Sequence, residues 1–332
     1  MKKIYLSLIF VLVSGLLFAQ NYTVSGYITD KSSGESLIGA NVFIEGSYRG
    51  TVSNKYGFYS LTIPSGEVKL RFSFVGYQSV WQELDLKEDL TFNTLLEASI
   101  NIKGVTITAE KRTDEVESTR MSTINVPIKT IKQLPAIMGE VDVIKAIQLL
   151  PGVQSGMEGA GGLYVRGGGP DQNLILLDGV PVYNANHLFG FFSVFNADAI
   201  NNIELIKGGF PARYGGRLSS VLDISMKEGN LNEFHGEGSV GVIASKLTLE
   251  GPIIKGKTSF IVSARRTYLD LLAQPIIRLS QGSDFSQTTG YYFYDVNAKV
   301  NHIISPKDRV YLSFYTGKDE FYSRNDPSAY LY

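Results

Sequence analysis

The chain has 332 residues, with 31 basic residues against 32 acidic ones and a net charge of -1. That balance gives no reason to expect nucleic acid or an acidic substrate as a partner. Cysteine is absent, which excludes disulfides, thiol catalysis and cysteine-ligated metals.

The N-terminus has the make-up of an export signal. Lys2-Lys3 precedes an apolar run over 4–18, and Ala19 stands before Gln20. Ser7, Ser14 and Gly15 interrupt the run, and a membrane span needs about 20 apolar residues. Residues 1–20 are therefore expected to be a cleaved signal peptide. No later segment is apolar enough for a transmembrane helix, so a membrane-integral form must be a barrel. The 19 tyrosines and 18 phenylalanines against one tryptophan agree with a strand-rich chain.

Residues 21–100 read as a β-sandwich of seven strands, at 22–29, 41–44, 50–53, 58–63, 68–75, 78–86 and 90–96. Turn clusters such as Ser32-Ser33-Gly34 and Pro64-Ser65-Gly66 separate them. The sequence VSGYITDKSSGESLIGANVFIEGSYRGTVSNKYGFYSLTIPSG resembles the carboxypeptidase regulatory-like domain. This implies no peptidase activity, because a zinc peptidase needs a His/Glu ligand set and the segment has no histidine.

Residues 101–121 form a β-prone strip followed by a charged stretch. Val105, Thr106, Ile107, Thr108 and Ala109 are extended and β-branched enough to add a strand to another protein. They would equally suit a further sandwich strand or a linker.

A small α/β domain is expected over 122–232. Val143, Ile144, Ile147 and Leu150 recur at helical spacing over 140–150 and stop at Pro151-Gly152. Residues 156–162 read as a glycine-rich loop. Short strands are expected at 163–165, 173–177, 203–206 and 221–226, with a helical turn over 196–200. Asp178-Gly179 is a strong hairpin signal, since both residues tolerate positive φ. No glycine cluster leads into a helix and no Gly-Lys-Ser/Thr occurs, which argues against a nucleotide site.

From residue 233 the period changes to two. Tyr292, Tyr294, Val296, Ala298, Val300, His302 and Ile304 alternate with Asp295, Asn297, Lys299 and Asn301. Val310, Leu312, Phe314 and Thr316 repeat the pattern, as do Phe260, Val262 and Ala264, although Ile261 breaks it. Apolar-out, polar-in alternation over about ten residues is the signature of a transmembrane β-strand. Short turns at 252–257 and 305–308 fit the periplasmic side; the longer 271–290 is expected to be a polar extracellular loop, and 291–294 an outer aromatic girdle. Five such strands fit in 233–332, whereas plugged barrels have about 22. The barrel is thus expected to be truncated, the chain being an N-terminal fragment.

YVRGGGPDQNLILLDGVPV and IELIKGGFPARYGGR resemble the plug domain of TonB-dependent outer-membrane receptors. Likewise GVTITAEK resembles the TonB box. The resemblance implies a mainly β chain: an N-terminal seven-stranded sandwich, a small α/β plug, and the first strands of an antiparallel transmembrane barrel. It implies an outer-membrane transporter importing an external ligand with energy transmitted by TonB, with sandwich and box periplasmic. The partners would be TonB with its inner-membrane complex, outer-membrane lipid and the ligand, with room for a surface lipoprotein and no nucleic acid. Arg166 and Arg213 would contact the barrel wall, with Lys207 and Arg217 as accessories. Tyr183, Asn184, Asn186, His187 and Phe189 would meet ligand at the extracellular apex.

The residues alone leave open an exported β-rich adhesion or carbohydrate-binding module without transport. Nothing argues for catalysis. The three histidines, His187, His235 and His302, are scattered, and neither HExxH nor GxSxG occurs. No metal or other cofactor is expected.

Overall fold

The computed structural model describes residues 20–99, 122–134, 139–156, 162–281 and 287–325. The chain divides into two compact units, an N-terminal one and one that runs from Arg112 to Tyr332.

The N-terminal unit contains β1 (Asn21–Asp30), β2 (Asn41–Ile44), β3 (Gly50–Val52), β4 (Phe58–Pro64), β5 (Gly66–Ser73), β6 (Val80–Leu86), β7 (Leu90–Thr91) and β8 (Thr94–Leu96). One sheet has β1 between β4 and β7, with β8 also on β1; the other runs β3-β2-β5-β6. Alternation builds the core between them: in β4, Tyr59, Leu61 and Ile63 are buried while Ser60, Thr62 and Pro64 are exposed. The expected seventh strand at 90–96 is in fact two, so the sandwich has eight. The break at Phe92-Asn93 has a steric cause. The Phe92 carbonyl comes so close to Gly26 that a Cβ there would lie 2.0 Å from its oxygen, and the Asn93 side chain accepts from the Tyr27 amide at 2.9 Å.

The second unit begins with β9 (Thr123–Pro127), a short helix Ile128–Ile131 and a helix Val143–Gln148. Asp142 caps the latter by accepting from the Lys145 amide, so it is shorter than the expected 140–150. There follow β10 (Val153–Ser155), β11 (Leu163–Val165), β12 (Asn173–Leu177), β13 (Val180–Pro181), β14 (Asn186–His187), β15 (Phe192–Ser193), β16 (Ile200–Ile206) and β17 (Ser220–Met226). A five-stranded sheet has the order β13-β12-β17-β16-β9. Its central strand β17 is buried along its whole length, and Pro181 and Pro127 stand on edge strands, where a missing N–H is tolerated. Asp178 and Gly179 form the predicted turn with φ of 50° and 87°. Val143, Ile147, Ile203, Leu205, Leu222 and Ile224 share one apolar core. The expected helical turn near 196–200 is a hydrogen-bonded turn that closes before Ile200 opens β16.

β18 (His235–Val240), β19 (Ala244–Ile254), β20 (Thr258–Thr267), β21 (Gln287–Ile303) and β22 (Arg309–Asn325) form an antiparallel meander in sequence order. Its two faces differ as the alternation predicts. Asp295, Asn297, Lys299 and Asn301 are buried beneath the glycine-studded domain, while Leu247, Leu249, Leu312 and Phe314 stay exposed, Leu312 by 71%. Ile261, the exception in the pattern, is fully buried on the inner face.

Two expectations are corrected. The 271–290 connection is not an irregular polar loop: Leu269–Gln281 is an α-helix and β21 already starts at Gln287. The run from Leu269 is rich in helix formers, and Asp270 in its first turn suits the helix dipole. The aromatic cluster 291–294 does not face one way, because a strand alternates: Tyr291 and Phe293 turn inward, while Tyr292 lies outside under the Arg266 guanidinium at 4.7 Å. Among the described residues, no helix is long and apolar enough to cross a membrane.

Candidate functional site

The odd-numbered residues of β21 from Asp295 to Asn301 place a row of polar groups on the inner face, and the α/β domain supplies partners to two of them, Asp295 and Lys299. Asp178, in the β12–β13 turn, accepts the Met226 amide hydrogen bond at 2.9 Å through Oδ1. Its Oδ2 lies 2.9 Å from Lys299 Nζ and accepts from Ser313 Oγ at 2.5 Å. One turn residue thereby ties the central sheet to β21 and β22. Nearby, Lys299 also reaches the Met226 carbonyl at 3.3 Å and Ser259 donates to the Glu228 carbonyl at 2.7 Å.

Further along β21, Asp295 takes two bonds from Arg265, at 3.0 Å from Nε and 2.5 Å from Nη2. Arg265 also donates to the Ser193 carbonyl at 2.7 Å, joining β20 to β15. His187 completes the group, with one ring nitrogen 2.8 Å from Asp295 and the other 2.8 Å from Asp319. Its ring stacks on Phe293 at 4.1 Å, and Tyr315 donates to Asp295 at 2.9 Å.

A third group lies toward β19. Lys246 is 3.4 Å from both Glu140 and Asp198, and Lys132 is 2.5 Å from Asp198. Burial would raise the Asp198 carboxyl, but the hydrogen bond from Lys132 and the charge of Lys246 outweigh it and hold it below the usual carboxylate range. Neutral contacts fill the gaps, such as Asn196 Nδ2 donating to Ser263 at 2.9 Å. An apolar patch joins domain and wall as well, with Phe192 packed on Ile243, Ala244 and Phe293, so separation would expose it along with the charged and hydroxyl groups. Each polar group must then regain water or another partner.

Residues 115–220 match the family model described as the TonB-dependent Receptor Plug Domain, and residues 24–107 match the CarboxypepD_reg-like domain. The second unit carries a TonB-dependent receptor plug domain. The chain is 28% identical over 229 residues to the TonB-dependent receptor SusC of Bacteroides thetaiotaomicron, covering 64% of this chain and 22% of that protein. It is 35% identical over 113 residues to the ferrienterobactin receptor of Escherichia coli, covering 29% of this chain and 15% of that one. The siderophore receptor PirA of Pseudomonas aeruginosa superposes with a TM-score of 0.43 at 20% identity, over 62% of this chain and 35% of that one. The chain spans about a fifth of the length of the first curated relatives it matches.

The predicted site residues fall in three places. Val105, Thr106, Ile107, Thr108 and Ala109 lie outside the described residues. The four basic plug residues are bonded, among the described residues, within the plug itself. Arg166, at φ 49°, lies 3.4 Å from Ser122 Oγ. Lys207 donates to the Pro151 carbonyl at 2.7 Å and Arg217 to the Gly216 carbonyl at 3.1 Å. Arg213 donates to the Tyr214 hydroxyl at 2.9 Å, which in turn donates to Asp223 at 2.8 Å. Burial and the Asp223 charge push the Tyr214 phenol up to about 12, so it remains a donor at neutral pH.

Of the apex residues, Tyr183 is 89% exposed and borders, with Asn184, a cavity of about 360 Å³ against Ser313–Tyr315. Asn186 is half-buried, pairing with Ser193 in a two-residue ladder. His187, 3% exposed, points into the wall rather than outward. The side chain of Phe189 lies outside the described residues. The carboxylates at 140, 178, 198 and 295 were not singled out in the sequence as site residues. Only the polar run on β21 hinted at them, because their partners lie up to 135 residues away.

Proposed function

We propose that this chain is the N-terminal part of a TonB-dependent outer-membrane receptor that takes up an external solute. It acts as a transporter and not as an enzyme. Residues 1–20 direct export, 21–100 form a periplasmic sandwich, 101–121 carry the TonB-contacting strip, 122–232 form the plug and 233–332 open the barrel wall. The observation that carries this reading is the meander with two unlike faces: one ion-paired to a plug-family domain, the other apolar and uncovered. A lipid-facing wall around a polar lumen requires that division, and a soluble sandwich would bury its apolar face.

The cycle follows from the parts. Solute bound near Tyr183 and Asn184 favours one arrangement of the plug, and preference for that arrangement is what lets binding be felt at the periplasmic side. TonB pairs with Val105–Ala109 by strand addition and transmits the force that moves the plug against its polar seam. Arg166 and Arg213, exposed on the plug, meet wall carboxylates as bidentate partners.

Deleting residues 104–110 tests the proposal. The variant should remain in the outer-membrane fraction and lose binding to the isolated periplasmic domain of TonB. Undiminished TonB binding would refute the strip, and recovery of the intact protein as a soluble periplasmic species would refute the barrel.

A further inference from the structure

His187 is one of three imidazoles in the chain, and both of its ring nitrogens are engaged by carboxylates. Ionised carboxylates only accept hydrogen bonds, and a neutral imidazole carries a single N–H. A neutral ring could therefore satisfy one of the two contacts, while its other nitrogen turned a lone pair toward an oxygen 2.8 Å away. With both nitrogens protonated, the two contacts become charge-assisted hydrogen bonds.

The surroundings agree. The ring lies between Asp295 of β21 and Asp319 of β22 and stacks on Phe293, while Arg265 and Tyr315 bond to Asp295 and Tyr291 bonds to Asp319. Tyr291 donates to Asp319 and accepts the Leu188 amide hydrogen bond, so it cannot supply a proton to the ring. The linked cluster contains, among the described residues, the carboxylates of Glu140, Asp198, Glu237, Asp295 and Asp319 against three permanent cations, Lys132, Lys246 and Arg265. A cationic His187 reduces that excess of negative charge beside the buried Asp295, where an uncompensated charge is costly.

We propose that His187 is held as an imidazolium and that its second proton is the latch fastening the 186–193 turn of the plug to wall strands β21 and β22. Loss of that proton removes one of the two bonds and sets a lone pair against a carboxylate. The turn then keeps the remaining His187 contact, the Leu188 amide bond to Tyr291, the Arg265 bond to the Ser193 carbonyl and the packing of Phe192 on Phe293. On the proposed reading that the neighbouring Tyr183 and Asn184 meet solute, that proton adds one releasable bond to the attachment of the solute-facing loop.

The test is nitrogen NMR of the full chain in detergent at neutral pH, labelled only at histidine. His187→Gln identifies the signal by its disappearance. The expected result is a ring with both nitrogens protonated, reduced to a single N–H in Asp319→Asn. Deuterium exchange of 186–193 should rise by about tenfold or more in His187→Gln, the size set by a charge-assisted hydrogen bond. His302→Gln should leave that exchange unchanged. A wild-type ring with one bare nitrogen overturns the proposal, as does exchange in His187→Gln that matches wild type.

Discussion

Inside the plug, Ile203, Leu205, Leu222 and Ile224 pack with Val143 and Ile147 without a charged group among them. On the side that meets the wall, the same domain presents Asp178, His187 and Asp198 to Lys299, Asp295 and Lys246. The first region is held by removal of apolar area from water, which is non-directional and large. The second has one small apolar patch, Phe192 on Ile243, Ala244 and Phe293, and is otherwise held by directional pairs whose attraction is offset by the desolvation of each partner. The plug is thus built to keep its own shape while its attachment can be exchanged for water or for another set of partners.

The sharpest way to break the comparison is Arg265→Ala. It leaves Asp295 buried with its main cation gone, at a cost of about 3–5 kcal/mol. Protease should then cut at the seam while the plug sheet stays protected; equal loss of protection in both would abolish the distinction. Arg265→Met combined with Asp295→Leu should recover much of that loss. Leu222→Ala attacks the other region and should cost about 3 kcal/mol through the cavity it leaves. Hydrogen exchange should rise across β12, β16 and β17 first.

Acid offers a smaller, graded test. Asp198 is held below its unfolded value, so its contribution is present above about pH 4 and is lost as pH falls through the lower folded value. Denaturant midpoints below pH 4 should decline, and Asp198→Asn should flatten that decline. Tyr214→Phe, which removes the donor to Asp223, should cost about 1 kcal/mol by urea unfolding. Least of all, Glu97→Gln in the sandwich breaks only an exposed pair with Lys31, and its midpoint should move by less than about 0.5 kcal/mol.

Much of the fold was legible along the chain because its signals are local. The Asp178-Gly179 turn, the helical spacing before Pro151 and the polar residues at alternate positions of β21 each depend on neighbours within a few residues. Where the reading slipped, a distant contact decided. The 90–96 strand breaks because Gly26, far back in sequence, admits the Phe92 carbonyl. Ile261 breaks the polar alternation of its strand and is nevertheless fully buried, on the face it shares with Lys299.

By itself the sequence determined the strand period, the turns, the export-like start and the two unlike faces of the meander, all consequences of backbone geometry acting on side-chain polarity. Only the tertiary structure decided which charges meet. The pairing of His187 with Asp295 and Asp319, and of Asp178 with Lys299, spans more than a hundred residues of chain. A hydrogen bond is specified by position in space to a fraction of an ångström, and no local pattern carries that information.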